Sequence, residues 1–273
     1  MRSEGVSKLI NQITFSGLGL DFEVSRVAFR IFGVSVYWYG LMIAAGLCLA
    51  ILYGFYESKR VGLSQDDLLN MILLAVPAAI VGARLYYVAF SWDMYRDDWL
   101  SILDIRSGGL AIYGGVIGAC LTILIYCKKK KLSVGMVLDV LAIGLLIGQS
   151  IGRWGNFFNG EAYGAVTSLP WAMTVHQDGK LLAENVHPTY LYESLWNAVG
   201  ILVLWGYRKI RSYPGETFCG YLVWYGLGRA WIEGLRADSL YIGALRVSQL
   251  LAILTVIAGI AIIVIHRFKK TTK

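Results

Sequence analysis

Apolar residues gather in seven runs along this chain, over about 37–56, 68–90, 109–127, 134–152, 188–206, 217–235 and 247–266, with polar stretches between them. Each run is apolar all round, not along a single stripe, and none alternates as a barrel strand would. A helix needs about 20 residues to cross the hydrocarbon core and satisfies its own backbone there. The expected fold is therefore an all-α integral membrane protein with seven transmembrane helices. Residues 1–36 mix charge, Asn, Gly and short apolar stretches, and read as an N-terminal arm and not as a signal peptide, so the helices are expected to carry the targeting information. Residues 37–267 form the membrane domain, with the loop 153–187 as a small cap, and 268–273 form a basic tail.

The composition, 57% hydrophobic and 16% charged, lies outside the range of ordinary soluble domains. The net charge of +7 does not point to nucleic acid, because the basic residues cluster at alternate ends of the apolar runs. Lys59 and Arg60, Lys128 to Lys131, Arg208, Lys209 and Arg211, and Arg267, Lys269, Lys270 and Lys273 make four basic segments. Positive-inside logic places all four in the cytoplasm. The N-terminus, the 91–108 segment with its four aspartates and the cap are then outside, and the C-terminus is inside. Cys48, Cys120, Cys127 and Cys219 lack metal-type spacing and read as core residues, so neither a metal nor a cofactor is expected.

With this orientation the polar residues of six spans fall at one depth, near the outer leaflet. They are Tyr39; Arg84, Tyr86 and Tyr87; Tyr113; Arg153, Asn156, Asn159 and Glu161; His187, Tyr190 and Glu193; and Tyr225, Arg229, Glu233 and Arg236. A charge within a span is costly and marks either a functional group or an ion pair joining helices. Spacings of four, four and three put Tyr225, Arg229, Glu233 and Arg236 on one helical face, and Arg153 and Asn156 share another. Tyr86 and Tyr87 read as an aromatic belt. Gly144, Gly148 and Gly152 predict close helix packing. Gly114 and Gly115 predict either packing or close backbone approach to a ligand. Pro77 predicts a kink, and Asp139 a helix-packing hydrogen bond.

The planar fork of arginine suits a phosphate, and at this depth phosphates belong to phospholipid headgroups. A preorganised arginine clamp would also neutralise charge developing on a leaving phosphate. Physical chemistry alone leaves a catalytic and a transporting lipid site both open. The sequence has no G-x-S-x-G and no H-E-x-x-H, which argues against serine and zinc hydrolases. An anionic lipid or solute transporter is the alternative, although no internal repeat supports it.

The segment Gly152-Arg153-Trp154-Gly155-Asn156-Phe157-Phe158-Asn159-Gly160-Glu161 resembles the signature of the prolipoprotein diacylglyceryl transferases. His187-Pro188-Thr189-Tyr190-Leu191-Tyr192-Glu193, the Tyr, Arg, Glu, Arg series from Tyr225 to Arg236, Trp38-Tyr39-Gly40, and Gly108-Gly109-Leu110 to Gly115 fit as well, in the expected order. The resemblance implies a multi-pass enzyme of the bacterial cell membrane whose active site faces the outer leaflet. Its implied partners are phosphatidylglycerol and the lipobox cysteine of a prolipoprotein signal peptide, within membrane lipid, and a monomer would suffice. The cysteine sulfur is expected to attack the headgroup glycerol carbon that bears the phosphate, so that a thioether forms and glycerol phosphate leaves. By the same resemblance Arg153 and Arg229 hold the phosphate and Glu161 belongs to the signature; on chemical grounds Tyr113 and Glu161 are rival bases. Tyr39, Asn156, Asn159, Gly164, His187, Tyr225, Glu233 and Arg236 are implied substrate-binding positions. Some members carry His just before the paired glycines of the third span, where this chain has Tyr113; a phenol, ordinarily titrating near 10, is a weak base.

Overall fold

The computed structural model describes residues 10–105, 108–237, 241–242 and 245–271. The first nine residues of the expected arm, residues 106–107 of the expected outer segment 91–108, and residues 272–273 of the expected tail lie outside the described residues. In chain order the elements are β1 (Ile10–Phe15), β2 (Leu20–Ser25), β3 (Val27–Ile31), β4 (Val34–Tyr37), α1 (Trp38–Val61), α2 (Gln65–Phe90), α3 (Ile112–Lys130), α4 (Val134–Asn159), β5 (Met173–Gln177), β6 (Lys180–Val186), α5 (Thr189–Tyr207), α6 (Glu216–Glu233), β7 (Tyr241–Ile242), β8 (Leu245–Arg246) and α7 (Val247–Thr271).

The seven helices coincide with the seven apolar runs. Five of them, α1 to α4 and α7, are long and apolar enough to cross a membrane. The other two, α5 and α6, carry Glu193 and Asn197, and Glu216, Arg229 and Glu233, so polar groups dilute their apolar character. The all-α expectation holds for these long elements, but the arm and the cap loop are built from strands. Short, half-exposed strands lack the run length that made the helices legible.

The chain forms two compact units, Met1–Tyr53 with Leu141–Lys273, and Gly54–Val140. In the first, β2, β1, β5 and β6 make one antiparallel sheet in that order, so the arm pairs with the cap across a long sequence separation. The alternation of a strand turns Ile13 and Phe15 of β1 to one face. With Met173, Val175, Ala183 and Val186 they pack on Phe157 of α4 and Tyr190 of α5. Asn11, fully buried, donates from Nδ2 to the Phe158 carbonyl at 2.7 Å, and Arg26 donates to the Asn159 carbonyl at 2.9 Å. Two of the carbonyls that a helix end leaves without an intrahelical partner are thus satisfied. Gly160, at φ 65°, terminates α4.

A second core joins Tyr53 of α1, Ala142, Ile143 and Leu146 of α4, Leu204 of α5 and Tyr221 of α6. The glycines of α4 serve packing, as expected: Gly144 lies against Ala50, Gly148 against Gly46, and Gly152 against Ile43. Between α5 and α6 two indoles stack at 4.6 Å. Trp196 donates to the Trp224 carbonyl at 2.9 Å, and Trp224 to the Trp196 carbonyl at 3.0 Å. Each ring lies on a glycine of the facing helix, Trp196 on Gly228 and Trp224 on Gly200. This reciprocal lock sets the register of α5 on α6.

In the second unit, α2 and α3 run antiparallel, with Gly114 against the Gly82 backbone and Gly118 against the Ala78 carbonyl. Gly114 is therefore occupied by helix packing. Helix α2 continues unbroken through Pro77. Arg84 is buried and donates to the carbonyls of Ser101, Ile102, Asp104, Gly108 and Gly109, with the Tyr95 ring 5.0 Å from its guanidinium. These contacts assign Arg84 to holding the backbone at residues 101–104 and 108–109.

Gly228→Val should displace the Trp196 indole and lower stability by about 1–3 kcal/mol, the usual cost of overpacking. Gly206→Ala, which projects into open space, should leave the thermal midpoint in detergent unchanged or slightly higher.

Candidate functional site

The Trp196–Trp224 lock brings Glu193, one turn before Trp196, opposite Arg229, the neighbour of Gly228. Arg229 Nη1 reaches Glu193 Oε1 at 2.9 Å, and its Nη2 reaches Glu233 Oε2 at 2.7 Å. Arg153, on the last part of α4, pairs with the other oxygen of the same carboxylate, Glu193 Oε2. Arg236 approaches Glu193 Oε1 at 3.9 Å. One carboxylate thus gathers three guanidiniums from α4, α6 and the segment after α6. The glutamates are the interior members, 7% and 3% exposed, while Arg153, Arg229 and Arg236 are 27%, 21% and 13% exposed. The arginines are therefore the more exposed members of the cluster and present their guanidiniums outward from the two buried glutamates.

Arg153 also reaches Asn156 Oδ1 at 3.5 Å, so these two share a face as predicted. Asn156 and Asn159 then donate to Glu161 Oε1 at 3.1 and 3.0 Å. The sequence expectation for Arg236 needs correction. Helix α6 ends at Glu233, so Arg236 is not on its face; an antiparallel bridge to Gly164 positions it instead. Gly164 donates its N–H to the His187 carbonyl at 2.8 Å, and Ala165 to the Leu235 carbonyl at 2.7 Å. A Cβ at Gly164 would collide with the Leu235 carbonyl, His187 and Thr189, which is why glycine is required there.

Tyr39 packs its ring against Gly155 of α4, and the preceding Trp38 stacks on Phe158 at 4.8 Å. Tyr225 stacks on Tyr221 at 5.7 Å, one turn before Arg229. His187 Nδ1 lies 3.2 Å from the Tyr192 hydroxyl, which accepts from the Trp171 indole at 2.7 Å. Burial holds the His187 imidazole below its ordinary pKa, favouring the neutral ring. Tyr113 belongs to the 54–140 unit, where it lies 6.4 Å from the Tyr86 ring.

The profile of the family described as prolipoprotein diacylglyceryl transferase matches residues 26–265. The chain belongs to this family. A relative from Finegoldia magna (strain ATCC 29328 / DSM 20472 / WAL 2508) is 47% identical over 238 residues, covering 87% of this chain and 94% of the relative. One from Clostridioides difficile (strain 630) is 44% identical over 237 residues, covering 87% and 93%. One from Enterococcus faecalis (strain ATCC 700802 / V583) is 45% identical over 254 residues, covering 90% and 91%. All three are named phosphatidylglycerol–prolipoprotein diacylglyceryl transferase.

Every candidate residue lies within the segment matched by the prolipoprotein diacylglyceryl transferase profile, whereas β1 and β2 precede it. Sequence reasoning assigned no role to Glu193, the residue on which the arginines converge. Its signal was present: it is the one carboxylate of the fifth apolar run.

Glu193→Ala would leave three guanidiniums around an emptied position. The expected loss is about 3 kcal/mol, the low end for breaking a buried ion pair because the arginines are partly exposed. Glu193→Gln should fold better than the alanine variant, and thermal unfolding in detergent orders the two. For His187, a folded-state pKa below the unfolded value means that the unfolded chain binds the proton more readily. Its contribution to stability should therefore fall as pH drops below about 6.5, the ordinary histidine value, and should be absent in His187→Phe.

Proposed function

We propose that this chain transfers the diacylglyceryl group of phosphatidylglycerol to the lipobox cysteine of prolipoproteins, with Arg153 and Arg229 holding the phosphodiester. The observation that carries this reading is the convergence of Arg153, Arg229 and Arg236 on Glu193. Rigid, partly exposed guanidiniums backed by buried carboxylates suit an anion whose charge increases during reaction. The basic segments at the C-terminal ends of α1, α3, α5 and α7 support a cytoplasmic C-terminus, an outside N-terminus and seven spans, an orientation in which this cluster faces the outer leaflet.

The reaction is a displacement at carbon. The thiol gives up its proton, and sulfur attacks the carbon of the acylated glycerol that is esterified to phosphate; attack on the headgroup glycerol would transfer glycerol without its acyl chains. A C–S bond forms, the C–O bond breaks, and the electron pair leaves with glycerol phosphate. The phosphate passes from one negative charge to two, and the two arginines neutralise the added charge. A free thiol titrates near 8.5, and guanidiniums close to it favour its thiolate. Glu161, whose Oε1 is held by Asn156 and Asn159, is the proton acceptor of this reading, and Tyr113 is the rival assigned by its motif position. Arg236 and Glu233 orient Arg229 and the headgroup. Tyr39, Gly164, His187 and Tyr225 shape the binding surface.

Purified protein with labelled phosphatidylglycerol and a lipobox peptide should yield a thioether-linked diacylglyceryl peptide. Arg153→Ala and Arg229→Ala should each lower kcat by about 100-fold or more, the loss typical of removing an electrostatic transition-state contact. Lysine at either position should recover only part, since it lacks the planar fork. Full activity in either alanine variant would overturn the phosphate clamp. Near-normal transfer by Tyr113→Phe together with loss in Glu161→Gln would assign the proton to Glu161, and the opposite pattern would assign it to Tyr113.

A further inference from the structure

Strands β3 and β4 form a hairpin closed by a two-residue loop, Phe32-Gly33, between the paired Ile31 and Val34. Both loop residues have positive φ, 48° and 82°. Such turns favour Asn-Gly or Asp-Gly, and a bulky residue at positive φ is a genuine outlier. Here the outlier is a phenylalanine whose side chain is fully exposed. Local conformation therefore selects against this residue, and packing within the chain gives it nothing in return.

The rest of the hairpin is two-sided. The cross-strand pairs Phe29–Val36 and Ile31–Val34 are apolar, while the Arg30–Ser35 pair between them is polar. Phe29, Ile31 and Val34 are exposed, so most of the apolar side is unpartnered within the chain. Strand β4 passes without a connector into α1, one of the membrane-length helices, and Trp38 N–H donates to the Arg26 carbonyl to close the base of the hairpin. Four to five strand residues at about 3.3 Å each limit the tip to roughly 17 Å from the end of that helix. The 92–103 segment also exposes tryptophan and leucine, but it carries Asp93, Asp97 and Asp98. From Val27 to Tyr37 the hairpin has no carboxylate and one arginine, Arg30.

We propose that the β3–β4 hairpin is a lipid anchor, with Phe32, Ile31 and Val34 inserted among the acyl chains beside α1 and Arg30 on the anionic headgroups. Aromatic and aliphatic side chains on one face with a cation on the other is the composition of elements that lie in the bilayer interface. The unfavourable turn residue is retained because lipid solvates its ring. This inference rests on α1 crossing the membrane and is independent of the transfer reaction.

The test uses the full chain in nanodiscs containing phosphatidylglycerol, with a fluorescent unnatural amino acid at position 34 and, as an aqueous control, at position 23 of β2. Lipids spin-labelled near the headgroup end of the acyl chain should quench the probe at 34 strongly, and iodide should quench it several-fold less than the probe at 23. Phe32→Asn suits the turn, so this variant should fold with an unchanged or raised thermal midpoint, yet its probe at 34 should lose lipid quenching and gain iodide quenching. Equal iodide access at 34 and 23, without lipid quenching, would overturn the anchor. So would protection at 34 that appears only when a lipobox peptide is added, because that would make the peptide the occupant.

Discussion

The shared carboxylate of Glu193 is the constraint on which the candidate site depends. Three like charges at this spacing repel one another, and without a counter-charge they would separate or draw in water. Glu193 divides its two oxygens between Arg153 and Arg229 and keeps Arg236 within 4 Å, while Glu233 secures the far side of Arg229. Removing a carboxylate from water is costly. That cost is offset only if all the partners are in place, which makes the site sensitive to the register of the helices that carry them.

Two features of the fold supply that register. The reciprocal indole lock fixes α5 on α6 and so fixes Glu193 against Arg229. The four-stranded sheet lies on Phe157 and Tyr190, at the ends of α4 and α5 from which Arg153 and Glu193 project. Asn11 and Arg26 then bind the last carbonyls of α4, next to Asn159 and Glu161. The arm is thereby part of the platform that holds the signature segment, although β1 and β2 lie outside the stretch that defines the family.

The helices were legible because hydrocarbon demands about 20 apolar residues per crossing, a signal too long to arise from local packing. The strands were not: β1 to β6 are four to seven residues long and half exposed, and the pairing of β1 with β5 has no local signature. Arg236 shows how a periodicity argument fails, since the 3.6-residue repeat was extended past the point where the helix stops. Arg84 and Glu193 show another limit. Both are charges within apolar runs, and sequence alone could not tell which binds carbonyls of its own loop and which gathers other charges. Only the partner distinguishes a structural ion from a functional one.

The length of α4 has a consequence for depth. At 1.5 Å per residue its 26 residues extend about 39 Å, some 9 Å more than the roughly 30 Å hydrocarbon layer. That surplus equals about six residues, the distance from Arg153 to Asn159. In the orientation proposed above, a rod whose first residue sits at the far edge of the oil would carry about its last two turns into the stratum where lipid phosphates reside, and the overhang would act as a ruler for the substrate.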